Sequence, residues 1–253
     1  MTVPGPPPDW AAAAAAVAHV FCGGLSDTLE IAGADGHHLS RVRRLRTGEA
    51  VTAADGAGRW RSYEVAQVDQ GRLTLHATSG PRVEPVLTPQ VVVALALTKG
   101  GLDDVAARLT ELGVAGIEPY RARRSVVRWD DARAARAVER LRTVTRAAAM
   151  QCRRARLPEV RAVTALEALC DRPGLVLADR TGVTPGTVPL PPTGVEWTIV
   201  VGPEGGLDES EQMLLGEATR VAVGPHVLRA ETAPVAVASA LVARGTVGDQ
   251  CGS

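Results

Sequence analysis

Aromatic side chains make up only 3% of the 253 residues, with one phenylalanine and two tyrosines. Val, Leu and Ala must therefore fill the core, and an apolar content of 45% supplies enough of them. A chain of this length can bury a real core, as one large domain or two modest ones. Lysine is almost missing as well. Lys99 is the only one, which leaves 27 of the 28 basic residues as arginine. A GC-rich genome accounts for that bias, and so does a need for bidentate phosphate contacts. Four cysteines, Cys22, Cys152, Cys170 and Cys251, lie far apart with no C-x-x-C or metal-ligand spacing. A disulfide framework and a cysteine-built metal site are thus excluded, and free thiols are expected. Five scattered histidines suggest no metal site either. No apolar run approaches membrane-spanning length. The N-terminal MTVPGPPPDWAAAAAAVAHVFCGG has an alanine run, but Asp9 precedes it and no positive charge leads it. No secretory signal is expected from that pattern, and a cytoplasmic location is expected.

Formal net charge is zero, yet it is unevenly spread. From Arg121 to Arg161 there are 13 arginines and four acidic residues, a net of +9. From Ala162 to Ser253 there are five arginines and 11 acidic residues, a net of −6. The basic middle points to an anionic partner.

Texture divides the chain. Residues 1–24 read as an N-terminal extension rich in proline and alanine. Between 25 and 82, TLEIAG, EAVTAADG, RWRSYEVAQV and RLTLHAT read as short strands separated by DG, AG and QG turns. HHLSRVRRLRTGE interrupts them as a short helix or turn. PRVEPVLTP reads as a linker. From 88 to 247 the pattern becomes α/β. QVVVALAL is a continuous apolar run, as a strand buried on both faces would be. LDDVAARLTEL has helical spacing and stops at Gly113. VAGIEPY, GLVLAD, VEWTIVVG and RVAVG are further strands. A long helix is expected near 130–153, with others at 208–218 and 234–244. Such alternation implies a mostly parallel sheet.

VGPEGGLDESEQ, Val201 to Gln212, raises a chemical question. A glycine-rich loop before a helix usually suggests phosphate. Here Glu204, Asp208, Glu209 and Glu211 crowd the helix start. Acids there cap the helix, Asp208 and Glu211 having capping-box spacing, and they repel a phosphate. Neither G-x-G-x-x-G nor G-x-x-x-x-G-K-[ST] is present. A neutral or cationic ligand fits better, and so does a plain structural turn. VAVGPHVLRAETAPVAVASALVAR repeats the strand, glycine turn, polar insert and helix. Its Arg229 and Glu231 read either as an ion pair or as substrate chemistry.

Taken in order, TELGV-x-x-IEP, the RARRS run, AAAMQCRRARLPEV, VGPEGGLDESE and LRAETA resemble the bacterial 16S ribosomal RNA (uracil-N3) methyltransferases of the SPOUT superfamily. HHLSRVRRLRTGEAVTAADGAG resembles their N-terminal PUA-like domain. The resemblance spans about residues 20 to 245. Leu207 stands where the family usually has an aromatic, and Pro225 and Ala230 are also unusual for it.

The resemblance implies a PUA-like β-barrel at 25–82 and an α/β SPOUT domain at 88–247 with a deep trefoil knot. It implies S-adenosyl-L-methionine as cofactor, a homodimer, no metal and no membrane, and one uridine of 16S rRNA in the small ribosomal subunit as target. Gly202, Pro203, Glu204, Gly205 and Gly206 would bind the cofactor, with Leu177, Leu228, Thr232 and Ala233. Arg229 would stabilise the uridine anion, with Glu231 as the other candidate for chemistry. Arg41, Arg43, Arg44, Arg121, Arg123, Arg124, Arg128, Arg153 and Arg154 would hold RNA phosphates. Arg133, Arg136 and Arg140 share one helical face and read as solvated. Ribose 2′-O methylation and a non-catalytic RNA-binding assembly factor remain as alternatives.

Overall fold

The apolar run at 91–96 becomes a strand covered on both sides. In the computed structural model, which describes residues 15–98, 100–125 and 130–247, the chain falls into two units. The described residues of the small unit are 15–85 and 149–157; those of the large one are 86–148 and 158–247. Among the described residues, no helix is long and apolar enough to cross a membrane.

The small unit is built on β1 (Ala18–Phe21), β2 (Thr28–Ile31), β3 (Ala50–Ala54), β4 (Arg59–Asp69), β5 (Arg72–Ala77) and β6 (Arg82–Val83). Its sheet order is β1-β3-β4-β5-β2, with β6 on β4. All pairs are antiparallel except β1 with β3. β1 lies inside the stretch expected to be an extension, so the unit begins earlier than position 25. Its core, Val20, Val51, Tyr63, Val65, Leu73 and Leu75, is almost free of exposure. HHLSRVRR forms the end of a short helix, α1 (Gly33–His37), and a π-helical turn, His38–Val42.

Residues 149–157 also belong to this unit, which the linear reading did not foresee. Glu84 explains why they stay. Its carboxylate accepts the backbone N–H groups of Ala155 and Arg156. Arg154, 7% exposed, lies beside it. Burial pushes the Glu84 carboxyl up and the Arg154 guanidinium down, against their mutual attraction.

The large unit holds β7 (Leu87–Thr88), β8 (Val91–Ala96), α2 (Leu102–Glu111), β9 (Gly116–Arg121), α3 (Asp131–Cys152), β10 (Glu159–Val160), β11 (Thr164–Ala165) and β12 (Leu175–Val183). After these come β13 (Trp197–Val201), α4 (Glu209–Leu214), β14 (Thr219–Val221), α5 (Thr232–Val242) and β15 (Thr246–Val247). The last turn of α3 lies in the residues assigned to the small unit. The main sheet runs β10-β9-β8-β13-β12-β14, with β11 on β9, and every pairing in it is parallel.

Period-2 alternation sorts its side chains onto two faces. Val91, Val93, Leu95, Ile199 and Val201 pack with residues of α2, α3 and α5. Ala94, Ala96 and Val200 pack on the other face with Leu166, Leu169, Leu207 and Leu215. This is why the strands read as unbroken apolar runs. The helix expected at 208–218 is shorter, ending at Leu214, because a turn closes Gly216 N–H onto Met213 O.

Glu118, from the IEP stretch, is 3% exposed on β9. Arg172 grips it with two hydrogen bonds of 2.6 and 2.8 Å, and Arg161 adds one at 3.3 Å. Arg161 in turn holds Glu196. The acid in that stretch therefore ties strands together.

Candidate functional site

A cleft of about 400 Å³ opens in the large unit where β12, β13 and β14 end. Carboxyl ends of parallel strands are the usual place for a ligand in an open α/β sheet. Leu177, Val201 and Val221 close its floor, each 5% exposed or less. Two connections form its walls: 202–208, which follows β13, and 222–231, which follows β14.

The first wall is self-capped. Asp208 is the N-cap of α4; its Oδ1 accepts the Glu211 N–H at 2.8 Å, and Glu211 Oε2 accepts the Asp208 N–H at 2.9 Å. Two of the helix-start donors that would greet a phosphate are thus already used. Hydrogen bonds from Ser210 and the Glu211 N–H hold the Asp208 carboxyl below its ordinary range, so it stays ionised. Glu211 is 2% exposed, and its Oε1 also accepts the backbone N–H of Arg123 at 2.7 Å. Arg123 Nη1 donates to Ser210 Oγ at 2.7 Å. The turn after β9 is thereby latched to the glycine loop. Beneath it, the buried Tyr120 hydroxyl donates to Val201 O at 3.0 Å.

Gly202, Pro203, Glu204 and Gly206 line the cleft, as do Leu177, Leu228 and Ala233. Gly205 and Thr232 do not: an ideal Cβ on Gly205 faces Arg124 Cβ at 3.6 Å. Gly206 has φ +69°, a conformation that favours glycine. Arg229 and Glu231 are both exposed, and among the described residues no ion pair joins them. Arg229 O accepts the N–H groups of Thr232 and Ala233, so its backbone starts α5. The Glu231 carboxylate lies against Gly101, where a Cβ would stand 2.7 Å from its Oε1. It lines a small adjoining cavity together with Thr98, Gly101, Gly202, Glu204 and Ala230.

The arginines expected on RNA are divided between the two units. Arg41, Arg43 and Arg44 are exposed in the small unit, Arg43 reaching Val17 O. Arg153 and Arg154 also belong to that unit, and Arg154 is withdrawn from solvent beside Glu84. A buried guanidinium so placed cannot reach a phosphate, which corrects its assignment. Arg121 pairs with Asp131 at 2.7 Å. Arg128 lies outside the described residues. Arg124 lines the cleft, its Nη1 donating to Gly205 O at 3.3 Å.

Sequence reasoning missed Asp179, Arg180, Val223 and Val237 as lining residues. Only the position of GLVLAD as a strand could have suggested Asp179, at its carboxyl end. Its carboxylate accepts Arg220 Nη1 at 2.6 Å and both the N–H and hydroxyl of Thr181. Those hydrogen bonds outweigh its partial burial and lower its pKa. Charge in the cleft is balanced, with Arg124 and Arg180 against Asp179 and Glu204. Among the described residues, no group of three or more His, Cys, Asp or Glu could hold a metal.

Comparison with known proteins agrees with this geometry. Residues 86–242 match an RNA methyltransferase domain, and residues 31–77 match an RNA methyltransferase PUA domain. The chain is 37% identical over 238 residues to ribosomal RNA small subunit methyltransferase E of Mycobacterium bovis, covering 88% of each chain. A putative methyltransferase from Legionella pneumophila, solved in complex with bound SAM, superposes with a TM-score of 0.79 at 25% identity, covering 90% of this chain and 98% of that one. Ribosomal RNA small subunit methyltransferase E from Neisseria gonorrhoeae, bound to S-adenosyl methionine, superposes with a TM-score of 0.78 at 25% identity. That match covers 88% of this chain and 96% of the other.

Proposed function

Since the chain belongs to the ribosomal RNA small subunit methyltransferase E family, we propose that it methylates N3 of one uridine in 16S rRNA, using S-adenosylmethionine. The cleft carries this reading. Its volume lies within the usual range for small-molecule sites. Leu177, Val201, Val223, Leu228 and Val237 suit an adenosine, and glycines 202 and 206 leave backbone within reach. Two arginines and two acids suit a zwitterion better than a polyphosphate, and the capping box occupies two of the donors a phosphate would use.

When bound, S-adenosylmethionine supplies the activated methyl group. The chain's own residues must do the rest. N3 lies on the Watson–Crick edge, so the target base has to be unpaired or flipped out. Its proton is weakly acidic, and charge then develops on O2 and O4. Arg229, between the lining residues Leu228 and Ala230, is the donor for that charge. Much of the remaining rate comes from positioning. Arg41, Arg43 and Arg44 of the small unit and Arg121 of the large one contribute phosphate contacts, which are salt-sensitive.

We assign residues 25–82, together with β1 and residues 149–157, to an RNA-binding PUA-like domain and the rest of 88–247 to a SPOUT methyltransferase domain, with a deep trefoil knot in the latter. Several contacts support the knot. β14 passes β12 at a bulge so close that a Cβ on Gly182 would lie 2.3 Å from the Arg220 and Val221 backbone. The end of α5 is then held by the 185–188 turn, Arg244 donating to Pro185 O at 2.7 Å and Val188 O at 2.6 Å. A homodimer and a cytoplasmic location complete the proposal. Exposed Met213 and Val227 offer apolar surface for a second copy.

The experiment is methylation of small ribosomal subunits from a deletion strain, read by nucleoside mass spectrometry. The expected product is N3-methyluridine. A ribose 2′-O-methyl product would replace the assignment with its nearest alternative, and no product at all would leave an RNA-binding factor.

A further inference from the structure

Arg124 was expected on RNA from its place in a basic run, but its surroundings give it another role. Its turn is fixed on three sides. The preceding N–H, of Arg123, is held by the buried Glu211 at 2.7 Å. Ser125 N–H closes the turn onto Ala122 O at 3.1 Å, and Ala122 is buried. The Arg124 head is set on the glycine loop through Gly205 O at 3.3 Å. That contact uses one of five guanidinium donors, and the rest remain for a ligand in the cleft that Arg124 lines. Among the described residues, no carboxylate pairs with it.

The other cation in the cleft is less suited to an anion. Arg180 follows Asp179 directly at the bulge of β12. Asp179 is an ionised carboxylate held by Arg220 and Thr181, and it would repel a second one. The remaining acid, Glu204, borders both the cleft and the small cavity shared with Gly101 and Glu231.

Resting on the cofactor reading above, we propose that Arg124 receives the α-carboxylate at the amino-acid end of S-adenosylmethionine. A planar guanidinium matches a carboxylate bidentately, and one hydrogen bond to a backbone carbonyl pre-orients it without neutralising it. Gly205 takes part through its carbonyl oxygen, without lining the cleft.

Two ligands separate this role from a merely structural one. S-adenosylhomocysteine has the amino-acid end, and 5′-methylthioadenosine lacks it; both are neutral at sulfur. Calorimetry should show Arg124→Gln binding S-adenosylhomocysteine roughly 10- to 100-fold more weakly, the scale of losing a charged hydrogen-bond partner. Its affinity for 5′-methylthioadenosine should stay within about 2-fold, because the lost partner belongs to the absent group. Arg124→Lys should recover part of the difference, and Arg108→Gln on α2 should change neither ligand. Equal weakening of both ligands by Arg124→Gln would reduce Arg124 to a loop anchor and overturn the proposal. So would unchanged binding of both. If the wild-type chain bound 5′-methylthioadenosine but gained nothing from the amino-acid end, the clamp would fail while the adenosine site stood. If it bound neither ligand, the cofactor reading itself would fall, and the clamp with it.

Discussion

The buried carboxylate of Glu211 accepts the backbone N–H of Arg123 at 2.7 Å, joining segments 88 residues apart in the chain. The same side chain accepts the Asp208 N–H at 2.9 Å. One residue therefore caps α4, closes the acidic end of the glycine loop and positions the turn that carries Arg124.

Glu211→Ala should cost about 2–3 kcal/mol, because two backbone donors lose their acceptor. Denaturant unfolding gives that figure directly. Cofactor affinity should fall with it, since the 202–208 wall and the turn that carries Arg124 are both held by this carboxylate. A variant with unchanged stability would show that water replaces the cap.

Arg229→Ala should leave RNA and cofactor binding intact while single-turnover methylation slows by about 100-fold or more, the scale of losing one transition-state donor. Comparison of filter binding with turnover separates the two effects. Wild-type turnover in the variant would leave Arg229 no role beyond its backbone, which starts α5.

Arg172→Ala should destabilise the large unit by about 3 kcal/mol, the low end for breaking a buried ion pair, because Arg161 still faces Glu118. The double variant Glu118→Leu with Arg172→Leu should be closer to wild type than the single one. Additive losses in this cycle would mean that the two residues do not interact.

His19 makes stability fall on the acid side. The ring is 4% exposed on β1, and its Nδ1 bonds to Thr52 Oγ1 at 2.8 Å. Burial lowers its pKa from 6.5 to about 4. Between those values the unfolded chain takes up a proton that the folded chain refuses. This contribution is therefore fully present above about pH 6.5 and is lost progressively toward pH 4, by up to about 3 kcal/mol. Chemical denaturation of wild type and His19→Leu across that range should show a steeper fall in stability toward acid in the wild type than in the variant.

An alanine at Gly182 would meet backbone, not a movable side chain, at 2.3 Å. Gly182→Ala should prevent the large unit from folding to a cofactor-binding state, read as loss of soluble protein or of calorimetric binding. A stable variant that binds the cofactor normally would mean that β12 and β14 separate there readily.

Much of this was legible in the sequence because it depends on local order. QVVVALAL, VEWTIVVG and LDDVAARLTEL carry their element type in their own spacing, so strand, strand and helix followed. The acids after GPEGG announced a capped helix, and Asp208 and Glu211 form that capping box. Other features depend on segments that meet only after folding. Nothing in the spacing of RARRS says that Arg123 and Arg124 turn toward Ser210 and Gly205, more than 80 residues later. A run of arginines reads as a basic surface because sequence shows charge and not partners. Arg154 is similar: it sits in a basic stretch, yet Glu84, 70 positions earlier, draws it out of solvent. Burial and pairing are properties of the tertiary neighbourhood. The sequence determined which residues carry chemistry, and only the fold decided which of them face one another.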